Sequence, residues 1–564
     1  MLAETAEWLL AGRIPHVDYQ EPYTGGLTWL YAVIFKVGGV DLINVRWFLF
    51  PFAAVALIVT YLIIRRFLPP VASAVATWLA LAWSFPNYFA GLPSWWLLIC
   101  ALGCVWALIR HVETGLLRYV ALAGLLIGCA IVIKQTGVYL LIAVALSLLA
   151  SATGSGQPTR LTRNLDRLLR FGAGAFAVAL AIAIMRKRLG PSEFGYLLIP
   201  VACSSLALSS HRLSTSGSIL RARLAPVLLV CVMAALPLAL LSAPYFIHGH
   251  LPDLVNGAIL LPQRRIAFAS YPLPPVGHLL TGVAMMTLMV PMPSRLTGRD
   301  RRILTTLRWA LASGLTAVAF SSTVAYQFLF GSVRAVASLL PVLIAGLLLS
   351  SRVTDVKQRR ILLIAASMLA WMSLVQFPFA APIYFCYVTP LAVIAAVAAG
   401  SATASIRRPG VLTWTTLLLV FAVFNLNGRD VRAFGVERLE RSDFVALNLP
   451  RAHLDVQEGE AATYRSVVSL IEARLHGGTL LAGPDCPEVY FLARRSSPSG
   501  TVFDFFLGDE PPYVHDVGYW AQAQVIVINR LPDFSPRVAD GLLAELRDVF
   551  PHGQQVERFE VRWR

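Results

Sequence analysis

The feature that most limits what this chain can become is a succession of apolar runs, each close to bilayer length, that begins after Asp41 and continues to about residue 427. A crossing helix takes about 20 residues. Spans are expected at 43–65, 70–88, 93–110, 118–134, 137–151, 169–186, 191–209, 224–245, 276–293, 305–326, 332–350, 361–377, 383–400 and 411–427. Some are short, and the pair around Lys134 reads equally as one broken or re-entrant element. The expected fold is an α-helical polytopic membrane protein with about fourteen spans. Composition agrees. Of 564 residues, 57% are hydrophobic and 14% charged, against about 25% charged in a soluble domain, so lipid must serve as part of the solvent.

The net charge of +16 would in a soluble protein suggest nucleic acid. Here the basic residues cluster in short segments between apolar runs, as cytoplasmic loops do. That excludes nucleic acid and makes membrane lipids the expected surroundings. If the first span enters from outside, the inner loops hold 22 basic residues, among them Arg65, Arg66, Arg110, Arg170, Arg223, Arg302 and Arg360, and the outer loops hold seven. This orientation in a plasma (inner) membrane puts both ends of the chain on the outer face. Six of the seven cysteines lie in apolar runs and none has zinc-ligand spacing, so they read as small hydrophobes.

Three regions follow: an outer N-terminal segment with an interfacial helix (1–42), a transmembrane domain (43–427) and a small extracytoplasmic α/β domain (428–564). In the last, charges return and helical and strand patterns alternate. Helices are expected at 464–475, 487–494 and 536–549 and strands at 479–482 and 525–528. An edge strand should carry Val556, Phe559 and Val561. No glycine-rich phosphate loop occurs there, which argues against dinucleotide binding.

Several residues have the chemistry of a site. The segment from Gly12 to Tyr23 is polar and proline-punctuated and carries Asp18 and Glu21. A carboxylate there suits proton removal from a hydroxyl or metal coordination, and a solvated loop is the plainer reading. Lys134 ends an apolar run, where a cation is costly and functional by default unless it snorkels to headgroups. Arg264 and Arg265 lie together in the loop 247–275 with His248, His250 and Asp253. An arginine pair matches a phosphate group by forked hydrogen bonding or anchors to anionic headgroups. Arg334, Gln376, Tyr384 and Tyr387 flank other outer turns, and Asp485, Cys486 and Glu488 stand at a strand-to-helix turn.

Gly12-Arg13-Ile14-Pro15-His16-Val17-Asp18-Tyr19, the short aromatic-rich helix ending Phe35-Lys36-Val37-Gly38-Gly39, Arg46 at the head of a span, and Ile133-Lys134-Gln135-Thr136-Gly137 together resemble the GT-C membrane glycosyltransferases. The subgroup is that of the bacterial relatives of protein mannosyltransferases, lipid A aminoarabinose transferases and rhizobial lipopolysaccharide sugar transferases. His16 replaces the usual Tyr, and Gly38-Gly39 replaces Phe-Gly. The resemblance covers most of residues 1–400. It implies transfer of a sugar from a polyprenyl-phosphate donor to a lipid or glycan acceptor on the outer side, with an acidic base or metal-dependent activator and basic residues on the phosphate. A divalent metal stays open, and no other cofactor is implied.

In that family a first helix leads straight into an acidic pair, which here would fall just before Met1. Either the chain extends upstream, or Asp18, Glu4 or Glu21 substitutes, with Asp18 the first choice; an inactive enzyme as written is a third outcome. The expected site is therefore Asp18 as catalytic acid, with Arg264, Arg265 and Lys134 as phosphate contacts. Two rivals remain. A lipid-linked-sugar transporter or flippase should show inverted repeats with midplane charges, and none is visible. A non-catalytic scaffold would need no carboxylate.

Overall fold

The computed structural model describes residues 2–151, 160–208, 220–264, 266, 271–289, 297–321, 323–350, 353–402, 444–507 and 511–564. Two short helices precede the bundle, α1 (Leu2–Leu10) and α2 (Gly26–Gly38). The bundle itself comprises α3 (Leu42–Ile64), α4 (Pro70–Ala82), α5 (Pro93–Thr114), α6 (Leu117–Ile133), α7 (Val138–Ser151), α8 (Arg160–Met185), α9 (Pro191–Leu208), α10 (Leu220–Ile247), α11 (Gly277–Met289), α12 (Gly298–Ser321), α13 (Thr323–Leu349), α14 (Val356–Met372) and α15 (Thr389–Ala402).

Local chemistry sets the helix ends. Asp41 caps α3 by accepting from Ile43 N at 3.0 Å, and Asp355 caps α14 by accepting from Lys357 N and Gln358 N. Pro70 and Pro93 open α4 and α5, where a missing N–H costs nothing.

Among the described residues seven helical segments are long and apolar enough to cross a membrane: Leu42–Ile64, Pro93–Thr114, Asn164–Arg188, Pro191–Leu208, Arg223–Ile247, Phe330–Leu349 and Val356–Gln376. The chain is thus an integral membrane protein. Other expected spans coincide with shorter apolar helices, α6 and α15 among them, and the one at 411–427 lies outside the described residues. The segment Val356–Gln376 is 89% buried and forms the centre, whereas Arg223–Ile247 is only 11% buried and presents its apolar side chains to lipid. That outer helix is held by Gly124 and Gly128 of α6. A Cβ on Gly124 would stand 2.8 Å from the Val230 carbonyl oxygen, and one on Gly128 would overlap that of Ala234. This is close backbone approach of the small-xxx-small kind.

The tail carries β1 (Phe444–Ala446) and β2 (Asp455–Gln457), which pair antiparallel, then α16 (Glu458–Arg474). A second sheet of β3 (Leu480–Gly483), β4 (Val525–Asn529), β5 (His552–Val556) and β6 (Phe559–Trp563) has the order β3-β4-β6-β5. The β3–β4 pair is parallel and the other two pairs are antiparallel. Every residue of β4 is buried. Val525 and Val527 pack with Val467 and Ile471 of α16 on one face; Ile526 and Ile528 pack with Trp520, Leu542 and Leu546 on the other. One expectation needs correction. Val556 and Phe559–Val561 are not one edge strand. They lie on two strands joined at Glu557-Arg558, and β6 is internal, with β5 at the edge.

The tail sits on the N-terminal segment. Trp8 Nε1 donates to Ser496 Oγ at 2.8 Å, Ser497 N to Glu4 at 3.1 Å and Gln20 N to Gly500 O at 2.9 Å. Arg451 pairs with Glu7 at 2.8 Å, and Phe491 stacks on Phe35 at 6.3 Å. A second bridge reaches the far half of the bundle, where Phe534 packs edge-on against Phe379 at 5.7 Å.

Candidate active site

The loop between α1 and α2 is folded on itself before it reaches the site. Asp18 Oδ2 accepts from Ile14 N at 2.6 Å, and the Asp18 carbonyl accepts from Arg13. Tyr245 Oη donates to Pro15 O at 3.0 Å. His16 takes a φ of +64°, and burial lowers its imidazole to about 4, so it is neutral. Asp18 itself is exposed.

Beyond this turn the chain buries Glu21, which is 1% exposed. Its Oε2 accepts from Thr28 Oγ1 at 2.6 Å and its Oε1 from Tyr23 N at 3.3 Å. Thr5 Oγ1 lies 3.0 Å from that of Thr28, and Tyr19 Oη donates to Thr5 O. Burial pushes the Glu21 carboxyl up to about 7 against the hydrogen bonds from Thr28, Tyr23 N and Thr5, which favour the charged form.

Lys134 stands next to this loop at the end of α6. Its Nζ donates to Ser94 Oγ at 3.0 Å and lies 5.6 Å from the ring centres of both Tyr23 and Tyr384. Ring faces stabilise a desolvated ammonium. The aromatic wall continues from Tyr384 to Tyr387 at 5.5 Å and from Tyr387 to Trp95 at 4.5 Å. Tyr23 thus joins the two groups that matter, since its backbone serves Glu21 and its ring faces Lys134.

Arg334 is buried nearby in sequence terms to none of these, yet it anchors the turn before Tyr384. Nε donates to Gln376 Oε1 at 2.7 Å and Nη1 to Ala380 O at 3.0 Å. Its Nη2 has no partner among the described residues. A cavity of about 10 Å³, room for about one water, lies beside it among Tyr196, Ser338, Ser373 and Gln376.

The expected residues therefore part company. Asp18 closes the 14–18 turn, while Lys134 faces Tyr23 and Tyr384. Arg264 is exposed and donates from Nη1 to Phe506 O of the tail at 2.9 Å. Arg265 lies outside the described residues. The tail residues Asp485 and Glu488 are cross-ties. Asp485 accepts from Phe534 N, Ser535 N and Ser535 Oγ, and Glu488 accepts from Tyr464 Oη. Among the described residues no three His, Cys, Asp or Glu side chains converge to hold a cation. Thr28, Tyr23 and Ser94 escaped sequence reasoning. A threonine in the first turn of a helix and a serine after a proline carry no catalytic signal by themselves.

No curated protein matches the chain. Residues 25–180, which hold Thr28, Ser94 and Lys134, match the family model described as dolichyl-phosphate-mannose-protein mannosyltransferase.

Proposed function

We propose that the protein transfers a sugar from a polyprenyl-phosphate donor to a lipid or glycan acceptor at the tail-domain end of the bundle, on the extracytoplasmic side of a plasma (inner) membrane. The observation that carries the reading is a buried carboxylate, Glu21, and a buried ammonium, Lys134, on either side of Tyr23. An acceptor hydroxyl attacks the anomeric carbon and a new C–O bond forms. The bond from that carbon to the phosphate oxygen breaks, and the phosphate leaves with the electron pair. Glu21 takes the hydroxyl proton. A carboxyl near 7 is matched to that task at neutral pH. Lys134 offsets the charge that grows on the departing phosphate.

In this reading Asp18, the first choice on sequence, holds the 14–18 turn, and Arg264 holds the tail. The test compares Glu21→Gln with Asp18→Asn in the full chain, assayed for release of polyprenyl phosphate. The glutamine variant should lose about 10²–10⁴-fold in rate, and the asparagine variant should stay within the same order of magnitude. The reverse outcome would return the role to Asp18. Full activity in both would move the base to another residue, and no release of polyprenyl phosphate by wild type would favour the scaffold reading.

A further inference from the structure

The end of the bundle opposite the tail carries charge that the reaction does not use. Asp166 and Arg170 lie on α8, Arg223 in the first turn of α10, and Arg360 in the second turn of α14. All are buried, with Arg170 2%, Arg223 0% and Arg360 6% exposed. Asp166 pairs with Arg170 at 2.9 Å and with Arg223. Arg170 also donates to Leu208 O at 3.2 Å, and Arg223 to Leu149 O. Carbonyls at helix C-termini carry partial negative charge, so these two cations are well supplied.

Arg360 is not. Its Nε and Nη2 are buried without a hydrogen-bond partner among the described residues. α14 packs against α7 and α9, whose last carbonyls hold Arg223 and Arg170, so Arg360 belongs to the same end of the bundle. It also lies near the N-terminus of α14, where the helix dipole adds positive potential. The remaining acids at this end are engaged. Glu113 binds Arg66 and Arg110, Asp355 caps α14, and Asp300 holds Thr297. Segments 152–159, 209–219, 290–296, 351–352 and 403–410 contain no Asp or Glu. Arg170 and Arg223 thus share the one carboxylate of Asp166, Arg359 donates to the Val353 carbonyl, and Arg360 is left with a buried charge that is strongly unfavourable unpaired.

We propose that this cluster is an anion site for a phosphate group, with the Nε–Nη2 edge of Arg360 as the forked donor that fits two phosphate oxygens. The headgroup of an anionic phospholipid in the adjacent leaflet and inorganic phosphate share this chemistry. The site is independent of the transfer reaction.

The test uses the full chain in nanodiscs of phosphatidylcholine alone or with phosphatidylglycerol, each with and without inorganic phosphate. Wild type is compared with Arg360→Gln and Arg360→Lys, every protein against its own midpoint in phosphatidylcholine. Phosphatidylglycerol should raise the wild-type unfolding midpoint by roughly 2–4 °C, the lysine variant by less and the glutamine variant not at all. The same pattern with inorganic phosphate in phosphatidylcholine discs would assign the site to the free anion. No rise for wild type with either anion, or an equal rise for Arg360→Gln, overturns the proposal. Wild type alone gives a second readout. Native mass spectrometry should show phosphatidylglycerol or phosphate retained over phosphatidylcholine, and retention of neither overturns it.

Discussion

Glu21 is the residue whose environment says most. Three hydrogen bonds favour its ionised form, and burial opposes them and wins, leaving the carboxyl near 7. Removing one of those bonds must therefore move the group further in the direction of burial. Thr28→Val keeps the shape of the side chain and deletes the donor. The acid limb of the pH–rate profile should then shift to higher pH with little change in the plateau rate. A profile that does not move would mean that another group sets the limb. Lys134 was legible from the sequence as a cation where a span ends, and Glu21 as one carboxylate among several. Their settings were not. Ser94 lies 40 residues from Lys134, and Tyr384 comes from much later in the chain. Such pairings depend on helix packing that a linear pattern does not encode.

At the scale of elements, the most revealing contact is the one between the tail and the first loop. Gly500 has a φ of +63°, and a Cβ there would stand 3.1 Å from Arg13 Nη2 and 3.3 Å from Asp18 O. Gly500→Ala therefore meets both a backbone penalty of roughly 1–2 kcal/mol and a tight neighbour. It should lower the unfolding midpoint and speed proteolytic cleavage between residues 13 and 20, measured in nanodiscs against wild type. Cleavage at the wild-type rate would show that the clasp is not held there. The membrane helices were largely legible, because run length and proline or aspartate at their starts are local signals. The β5–β6 hairpin was not. Its two-residue turn, Glu557-Arg558, puts Glu557 at a φ of +48° without the glycine or asparagine that usually flags such a turn, so two strands read as one.

Over the whole molecule, the carboxyl groups of Glu4, Glu7, Glu21 and Asp504, all outside the spans, are raised by burial. Burial pushes Glu4 up to about 8, and Glu21 and Asp504 up to about 7. A carboxyl raised in the folded state contributes stability that is complete below its unfolded value and is lost as pH rises through its folded value. The full chain should thus lose thermal stability as pH rises from about 4.5 to about 8. Glu4→Gln should flatten the alkaline part of that fall, since the amide cannot ionise. A midpoint independent of pH across this range would contradict the burial of these groups. The outer placement of the tail and the span total were expectations built on charge counts and run lengths, and they stand as such beside the seven long helices.

Beside the Phe534–Phe379 and Arg264–Phe506 contacts, the tail is held through residues that the N-terminal segment supplies: Glu4, Glu7, Trp8, Gln20 and Phe35. Two stretches at opposite ends of the chain therefore behave as one inherited module. A chimera that exchanges residues 444–564 with those of a relative should work only if residues 2–42 travel with them, and sequence drift in either stretch should be answered by drift in the other.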